Sequence, residues 1–269
     1  MSERKQTRRY TAEGRSPRVR TSGQLELIRE EPLLIRVEDK PYSVVMRTPG
    51  DEVFHAAGFC LGEGIVGSHD DFTTLGYDEA ADPNVIDVWL DPSRRDRIQE
   101  RLERRFFVSQ TSCGICGKEL IEDLHQILTP MDDTFEVDLD QVLACVDQLS
   151  ANQQHYETTR GSHAALLFDG QLRNMSFAED VGRHNALDKA IGKVLVDRTL
   201  PDARVLVMSS RLSYELVQKA ARARLPILVS ESRPTSLAVE MALALNLTLA
   251  FPGPDSELVI VCGEQRIRR

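Results

Sequence analysis

The second half of the chain alternates short, continuous apolar runs with longer amphipathic segments. The apolar runs predict strands at residues 164–168, 172–177, 205–208, 227–229, 247–251 and 258–261. The first two would form a hairpin around the Asp169-Gly170 turn. The segments between the strands predict helices at 185–196, 214–224 and 237–245. This alternation is typical of a parallel sheet that helices cover on both faces.

The first half has fewer apolar runs and more charge. It predicts strands at 32–37, 42–46 and 85–90, and helices at 52–61, 93–104 and 118–128. A further helix at 139–149 would open the second half. We place a soft domain boundary near residue 135. The chain then divides into a basic, disordered tail (1–22), a smaller α/β subdomain (23–135) and an α/β domain (136–269).

Charge and composition exclude several classes of protein. The net charge of −9 argues against a nucleic-acid partner. No apolar run reaches the roughly 18 residues of a membrane helix, and the N-terminus lacks the apolar core of a secretory signal. We therefore expect a cytoplasmic protein without a membrane partner. Residues 1–20 are positively charged, unlike the chain as a whole, because they contain seven basic and two acidic residues. This composition fits a disordered tail or an arm that binds an acidic partner.

A pair of cysteines stands in a glycine-rich stretch at 111–118 (TSCGICGK). Cys113 and Cys116 are separated by two residues, so both thiols can reach one sulfur atom, one metal ion or each other. The predicted helix from residue 118 would point its first amides back at Cys116, and Lys118 adds a positive charge. Both features favour a thiolate, which is the form that attacks sulfur. Thiol chemistry and half of a zinc site remain alternatives.

Polar residues gather where predicted strands meet helices. Segment 179–189 (EDVGRHNALDK) offers Arg183 and His184 beside a helix N-terminus, with Asp180 as a group that could orient His184. Segments 209–213 (SSRLS) and 230–236 (SESRPTS) each follow an apolar strand and carry hydroxyls and an arginine. Because ligands bind beyond the carboxyl ends of strands in open sheets, we expect a phosphate or nucleotide site there. The contributing side chains would be Arg183, His184, Ser210, Arg211, Ser213, Ser232 and Arg233. Arg47, in the turn at 46–51 (MRTPGD), either joins them or serves only that turn.

Taken together and in order, these segments resemble the formate dehydrogenase accessory sulfurtransferase family. The resemblance rests on 30–33 (EEPL), 46–51 (MRTPGD), 62–65 (GEGI), 112–118 (SCGICGK), 179–189 (EDVGRHNALDK) and 215–221 (ELVQKAA). It implies a cytidine-deaminase-like C-terminal domain with a smaller α/β N-terminal domain, and a homodimer. It also implies a sulfurtransferase that formate dehydrogenase needs for activity.

The resemblance further implies a route for sulfur. A cysteine desulfurase would load Cys113 as a persulfide, with Cys116 as its partner. The sulfur would pass to the molybdenum cofactor (bis-molybdopterin guanine dinucleotide), held as a bound substrate, before that cofactor enters formate dehydrogenase. The family's cofactor-binding segment falls here on Phe251, Pro252, Gly253, Pro254, Asp255 and Ser256. The chain departs from the family pattern there and at 160–163 (RGSH), 209–211 and Arg233.

Two other functions compete with this interpretation. One is a zinc-stabilised chaperone that binds the molybdenum cofactor without transferring sulfur, and metal analysis would separate it from a carrier without a metal. The other is a deaminase-type hydrolase. The second is disfavoured because the His-x-Glu and Pro-Cys-x-x-Cys pattern of zinc deaminases is missing.

Overall fold

The computed structural model describes residues 2–11, 18–76, 82–105 and 128–268. Its first elements are strands β1 (Ser2–Thr11) and β2 (Arg18–Ile28), which pair in antiparallel fashion. Part of the basic segment 1–22 therefore lies in these two strands, whereas its assignment as a separate disordered tail stays a prediction. Backbone hydrogen bonds and a cross-strand ion pair contribute to this pairing, and β2 also contacts the helix Gln154–Thr159. In that ion pair Arg4 Nε lies 3.1 Å from a Glu26 carboxylate oxygen.

Four strands of the first half form a mixed sheet in the order β4-β3-β6-β5. The elements are β3 (Glu31–Val37), β4 (Lys40–Arg47), α1 (Glu52–Gly62), β5 (Phe72–Gly76), β6 (Val85–Leu90) and α2 (Pro92–Arg105). Alternate residues of β3, namely Leu33, Ile35 and Val37, are buried, as the two-residue period of a strand requires. The predicted strands and helices up to residue 104 are confirmed, and β5 was not predicted. The helix predicted at 118–128 falls almost wholly outside the described residues.

The second half builds one large sheet and five helices. Its elements are β7 (Val137–Asp138), α3 (Leu139–Asn152), α4 (Gln154–Thr159), β8 (His163–Asp169), β9 (Asn174–Asp180), α5 (Arg183–Val196), β10 (Ala203–Arg211), α6 (Tyr214–Arg222), β11 (Ile227–Ser232), α7 (Ser236–Ala244), β12 (Thr248–Pro252), β13 (Leu258–Cys262) and β14 (Ile267–Arg268). β14 pairs with β7, so the last described residues return to the start of this half. Within the described ranges, no helix is both long and apolar enough to cross a membrane.

The large sheet has the order β13-β12-β11-β10-β8-β9. β10, β11 and β12 are parallel, as predicted. β8 is antiparallel to both β9 and β10, and its pairing with β9 confirms the predicted hairpin. β13 is antiparallel to β12, so the sheet is mixed at both sides where the alternating pattern predicted a parallel one. Short hairpin connections cause this, because a tight turn between two adjacent strands can only reverse direction. The α/β class is confirmed, whereas the cytidine-deaminase-like assignment stays a prediction.

Helices cover both faces of the sheet, as the strand pattern predicts. In β8, Leu167 joins a core that also contains residues of α1, α5, α6 and α7. Its neighbours Leu166 and Phe168 face a second, smaller core under α3. The larger core also includes Leu33 and Ile35 of the first sheet, so it runs through both predicted domains. The boundary near residue 135 itself stays a prediction.

Helices α1 and α5 cross at two glycines. A side-chain β-carbon on Gly58 of α1 would lie 1.9 Å from the backbone oxygen of Asp188 in α5. A β-carbon on Gly192 of α5 would lie 1.7 Å from the backbone oxygen of Phe54 in α1. A backbone carbonyl of each helix therefore packs directly against a glycine of the other helix, where a larger residue would not fit.

Candidate functional site

Four strand ends meet at one edge of the six-stranded sheet. β10, β11 and β12 run parallel and end at Arg211, Ser232 and Pro252. β9 runs the same way, because both it and β10 are antiparallel to β8, and it ends at Asp180. Helices α5, α6 and α7 begin directly after β9, β10 and β11. Their N-terminal amides therefore lie at this edge, where amides favour an anion, although the Ala238 amide of α7 donates to Thr235 Oγ1.

The two arginine-bearing loops are neighbours at this edge. Arg211 is paired with Ser232 across β10 and β11, just after an irregularity in the β10 ladder. The guanidinium carbon of Arg233 lies 6.0 Å from the ring centre of Phe251, on the next strand. The structure thus brings the ends of β10, β11 and β12 together, as the sequence predicts. That these residues bind a ligand stays a prediction.

The remaining predicted ligand residues of these loops lie at the same edge. Ser210 is buried, and Ser213 directly precedes α6. The turn from β12 to β13 contains Pro252, Gly253, Pro254, Asp255 and Ser256. Asp255 and Ser256 have left-handed backbone conformations, with φ of 54° and 61°. Such backbone is uncommon outside glycine and is concentrated in turns and binding sites.

Arg183 and His184 are the first residues of α5, which follows β9. Because β8 lies between β9 and β10 in the sheet, these two residues are on the other side of β8 from the arginine loops. His184 Nε2 lies 2.9 Å from a carboxylate oxygen of Glu215 in the first turn of α6. Hydrogen bonding with His184 lowers the pKa of the Glu215 carboxyl. The expectation that Asp180 orients His184 is wrong, because Glu215 is the carboxylate that contacts this imidazole. The His184–Glu215 pair connects the starts of two helices at the edge.

Asp180 is fully buried and organises a network between the two halves. Its Oδ2 accepts hydrogen bonds from Lys189 Nζ at 2.8 Å and from the Thr48 amide at 3.0 Å. Its Oδ1 accepts from the Gly182 amide and from Asn185 Nδ2, both at 2.8 Å. Lys189 also donates to the Thr48 carbonyl at 2.7 Å. A buried charge persists only when it is paired and hydrogen-bonded, and both oxygens here are. Much of segment 179–189 is therefore structural.

Arg47 belongs to the same region but not to the edge. It is 2% exposed, and its guanidinium lies 3.0 Å from a Glu52 carboxylate oxygen and 2.9 Å from Asn84 Oδ1. Another nitrogen lies 3.5 Å from Glu31. These partners hold Arg47 inside the first half, so of the two sequence-based options we assign it the structural one.

A second buried ion pair lies deeper in the same core. Lys219 Nζ donates to both carboxylate oxygens of Asp188, each at 2.8 Å, and lies 5.4 Å from the Phe59 ring centre. His55 is fully buried close by. Burial, reinforced by the charges of Lys189 and Lys219, lowers the pKa of His55 well below its usual value. This cluster fixes α1, α5 and α6 against one another and so holds the edge in place.

A pocket of about 260 Å³ opens at the same edge, on the face that α3 covers. It is lined by Gln153, Tyr156, Arg160, Gly161, Ser162, His163, Ser209 and Glu231. None of them was among the ligand residues predicted from the sequence. Burial, reinforced by the charge of Arg183, lowers the pKa of His163, which favours the neutral imidazole. Two signals were available in the sequence. Ser209 and Glu231 lie in segments 209–213 and 230–236, which were predicted to form a ligand site, and segment 160–163 departs from the family pattern.

The predicted catalytic residues, Cys113 and Cys116, lie outside the described residues. The other three cysteines are free and buried. Burial raises the pKa of the Cys145 thiol to about 11 and also raises the pKa values of Cys60 and Cys262. They are therefore poor nucleophiles. In the part of the chain that the structure describes, no group of three His, Cys, Asp or Glu residues could hold a metal ion.

Comparisons with known proteins agree with one another. A sulfur carrier protein FdhD from Streptomyces avermitilis is 39% identical over 251 residues, which cover 90% of this chain and 88% of the relative. The protein of the same name from Mycobacterium tuberculosis is 40% identical over 240 residues, covering 84% and 86%. A crystal structure from Desulfotalea psychrophila, described as a formate dehydrogenase accessory protein, matches with a TM-score of 0.77 over 99% of both chains at 21% identity, which shows the fold. The family model described as FdhD/NarQ matches residues 28–268, and the chain belongs to that family.

Proposed function

We propose that this protein is a sulfur carrier that formate dehydrogenase needs for its activity. One observation carries the proposal: relatives 39–40% identical over 84–90% of the chain are named sulfur carrier proteins. The description of the structural neighbour as a formate dehydrogenase accessory protein supports the link to that enzyme.

The sulfur would travel on Cys113, with Cys116 as its partner. The state of the other cysteines supports this assignment. A thiol whose pKa is about 11, such as that of Cys145, is a thiolate in only about one molecule in ten thousand at pH 7. Cys60 and Cys262 are buried, and their pKa values are raised too. None of the three is suited to attack a sulfur donor.

The loading step is a thiol exchange. The Cys113 thiolate attacks the outer sulfur of a persulfide on a cysteine desulfurase. A sulfur–sulfur bond forms on Cys113 as the one on the desulfurase breaks, and the desulfurase cysteine leaves as a thiolate. Sulfur changes carrier without net oxidation, so the step needs no further reactant.

The acceptor would be the molybdenum cofactor in its bis-molybdopterin guanine dinucleotide form, bound here as a substrate before it enters formate dehydrogenase. The strand-end edge supports this proposal. Arg183, Arg211 and Arg233 lie there beside helix N-termini, an arrangement that suits the phosphates of a dinucleotide. We further propose that the protein works as a homodimer with a cysteine desulfurase and formate dehydrogenase as partners.

Mass spectrometry tests the carrier directly. After incubation with a cysteine desulfurase and cysteine, the peptide holding Cys113 and Cys116 should gain about 32 Da, one sulfur atom. The Cys113→Ala variant should not load, whereas Cys145→Ala should load like the wild type because that thiol is buried. Added sulfur found only on Cys60, Cys145 or Cys262 would contradict the assignment.

Complementation tests the biological role. In a strain that lacks the native protein, Cys113→Ala should fail to restore formate dehydrogenase activity, and Cys116→Ala should restore less than the wild type. Full rescue by Cys113→Ala would rule out its role as carrier. Metal analysis of the same purified protein addresses the chaperone alternative, since one zinc ion per chain, lost on mutation of both cysteines, would favour a structural site.

A further inference from the structure

Strands β1 and β2 form a two-stranded ribbon whose base is fixed to the wall of the pocket. At this base Ser2 of β1 is opposite Ile28 of β2. β2 contacts α4, and a β-carbon on Gly161 would lie 3.1 Å from Ile28 Cγ2. Gly161 and Tyr156 of α4 both line the pocket. Because β1 and β2 contribute none of the described residues of either core, the ribbon is an appendage on this side of the protein.

The ribbon carries a charge opposite to that of the rest of the chain. Residues 2–28 contain seven basic and three acidic residues, a net charge of +4, whereas the whole chain carries −9 and its other residues therefore −13. Near the base, Arg4 is paired with Glu26, and Lys5 with Glu3. Beyond them, residues 7–11 of β1 and 18–24 of β2 contain four arginines and no acidic residue. The outer part of the ribbon therefore attracts an acidic partner.

The backbone of β1 is open along one side. In the part of the chain that the structure describes, β2 is the only strand that pairs with β1. On the side of β1 away from β2, alternate residues therefore direct their N–H and C=O groups outward. An extended peptide can add to such an edge as a further strand. The basic residues of β1 also keep two copies of this edge apart, because like charges directly opposite each other destabilise a strand pair.

We propose that β1 binds an extended, acidic segment of another protein, which adds to the ribbon as a third strand. Backbone hydrogen bonds would hold the segment, and its carboxylates would lie opposite the arginines of β1, Arg8 and Arg9. Nucleic acid or anionic lipid would use the charge of the ribbon but not its backbone edge. The ribbon precedes residues 28–268, which match the family model, so the inference goes beyond the proposed function.

A second copy of this chain offers no matching strand among the residues that the structure describes. Strands β4, β5 and β13, at the sides of the two larger sheets, contain no acidic residue. β9 lies at the remaining side and contains two. Of these, Asp180 is fully buried, and Glu179 accepts hydrogen bonds from Ser162 and from two backbone amides. The acidic segment therefore belongs to a different protein, which the base of the ribbon would hold beside the strand-end edge.

Fluorescence anisotropy on the full chain tests the proposal with a labelled peptide of alternating glutamate and threonine, as long as the 10 residues of β1. This peptide should bind, and one with lysine in place of glutamate should not. N-methylation of every backbone amide in the acidic peptide should weaken its binding by about tenfold or more, because strand pairing is blocked. Arg8→Gln/Arg9→Gln should weaken binding of the acidic peptide by about five- to tenfold. The matched control, Lys193→Gln/Arg198→Gln, removes two exposed cations elsewhere and should bind like the wild type.

Several results would overturn the proposal. Equal binding of the N-methylated peptide would show a contact made by charge alone, as nucleic acid or anionic lipid makes. Equal weakening in both double variants would show an effect of net charge, and no binding of the acidic peptide by the wild type would remove the site. Sedimentation velocity tests the second copy: a dimer that dissociates only in Arg8→Gln/Arg9→Gln would assign the ribbon to self-association instead. Circular dichroism of each variant checks that the fold is kept.

Discussion

Gly192→Ala should destabilise the whole protein, because it fills the notch where α5 receives the carbonyl of Phe54. The added carbon would lie 1.7 Å from that oxygen, whereas an ordinary carbon–oxygen contact is about 3.3 Å. Helices α1 and α5 would have to separate by about 1.6 Å, which loosens the packing of their buried side chains. Overpacking of this kind costs about 3 kcal/mol, and the better helix propensity of alanine returns about 1 kcal/mol.

The expected net loss is therefore about 2 kcal/mol in the free energy of unfolding. For a chain of this size that corresponds to a fall in Tm of about 4–8 °C. Urea unfolding and thermal melting followed by circular dichroism would measure both. Gly76→Ala is the control, since nothing lies within 4 Å of its added carbon, and it should stay within about 0.5 kcal/mol of the wild type. A Gly192→Ala protein as stable as the wild type would show that the helices do not cross at this distance.

Three further predictions concern buried charge and the edge. Lys219→Met should lower the free energy of unfolding in urea by about 3–5 kcal/mol, because Asp188 keeps a buried charge without its partner. Adding Asp188→Leu should recover much of that loss, and no recovery would contradict the pairing. The wild-type unfolding free energy should fall by up to about 1.4 kcal/mol per pH unit below about pH 6.5, because the pKa of His55 is lowered in the fold and only the unfolded chain takes up that proton. His55→Gln should flatten the slope between pH 7 and 5, and equal slopes would exclude His55 as its source. Arg211→Ala should weaken GDP binding by about ten- to a hundredfold in calorimetry, and an unchanged affinity would place the phosphates elsewhere.

The sequence predicted the elements of the second half better than their pairing. The apolar run at 205–208 identifies a buried strand because every residue faces a core, and β10 extends it to 203–211. Nothing in that run indicates that its neighbours are β8 on one side and β11 on the other. The hairpin of β8 and β9 was predicted, whereas the antiparallel pairings of β8 with β10 and of β12 with β13 were not. An apolar pattern reports how a strand is buried and carries no information about which strand lies next to it.

The edge could be predicted and the pocket beside it could not. Arg211 and Ser232 follow apolar strands, and the carboxyl ends of parallel strands meet by geometry alone. The pocket combines segment 153–163 with Ser209 and Glu231, and no local spacing connects these positions. The partners of Asp180 could not be predicted from local spacing either. The sequence suggested His184, four residues away, whereas the structure pairs Asp180 with groups that include the Thr48 amide in the first half.

The contact between Thr48 and Asp180 has a consequence for how the chain folds as it is made. The two residues are 132 positions apart in the sequence. At a synthesis rate of roughly 5–20 residues per second, about ten seconds pass between them on the ribosome. During that time α1 is complete while α5, which covers its apolar side, does not yet exist. The nascent first half therefore exposes core residues for seconds, and exposed apolar surface of this kind is what chaperones bind.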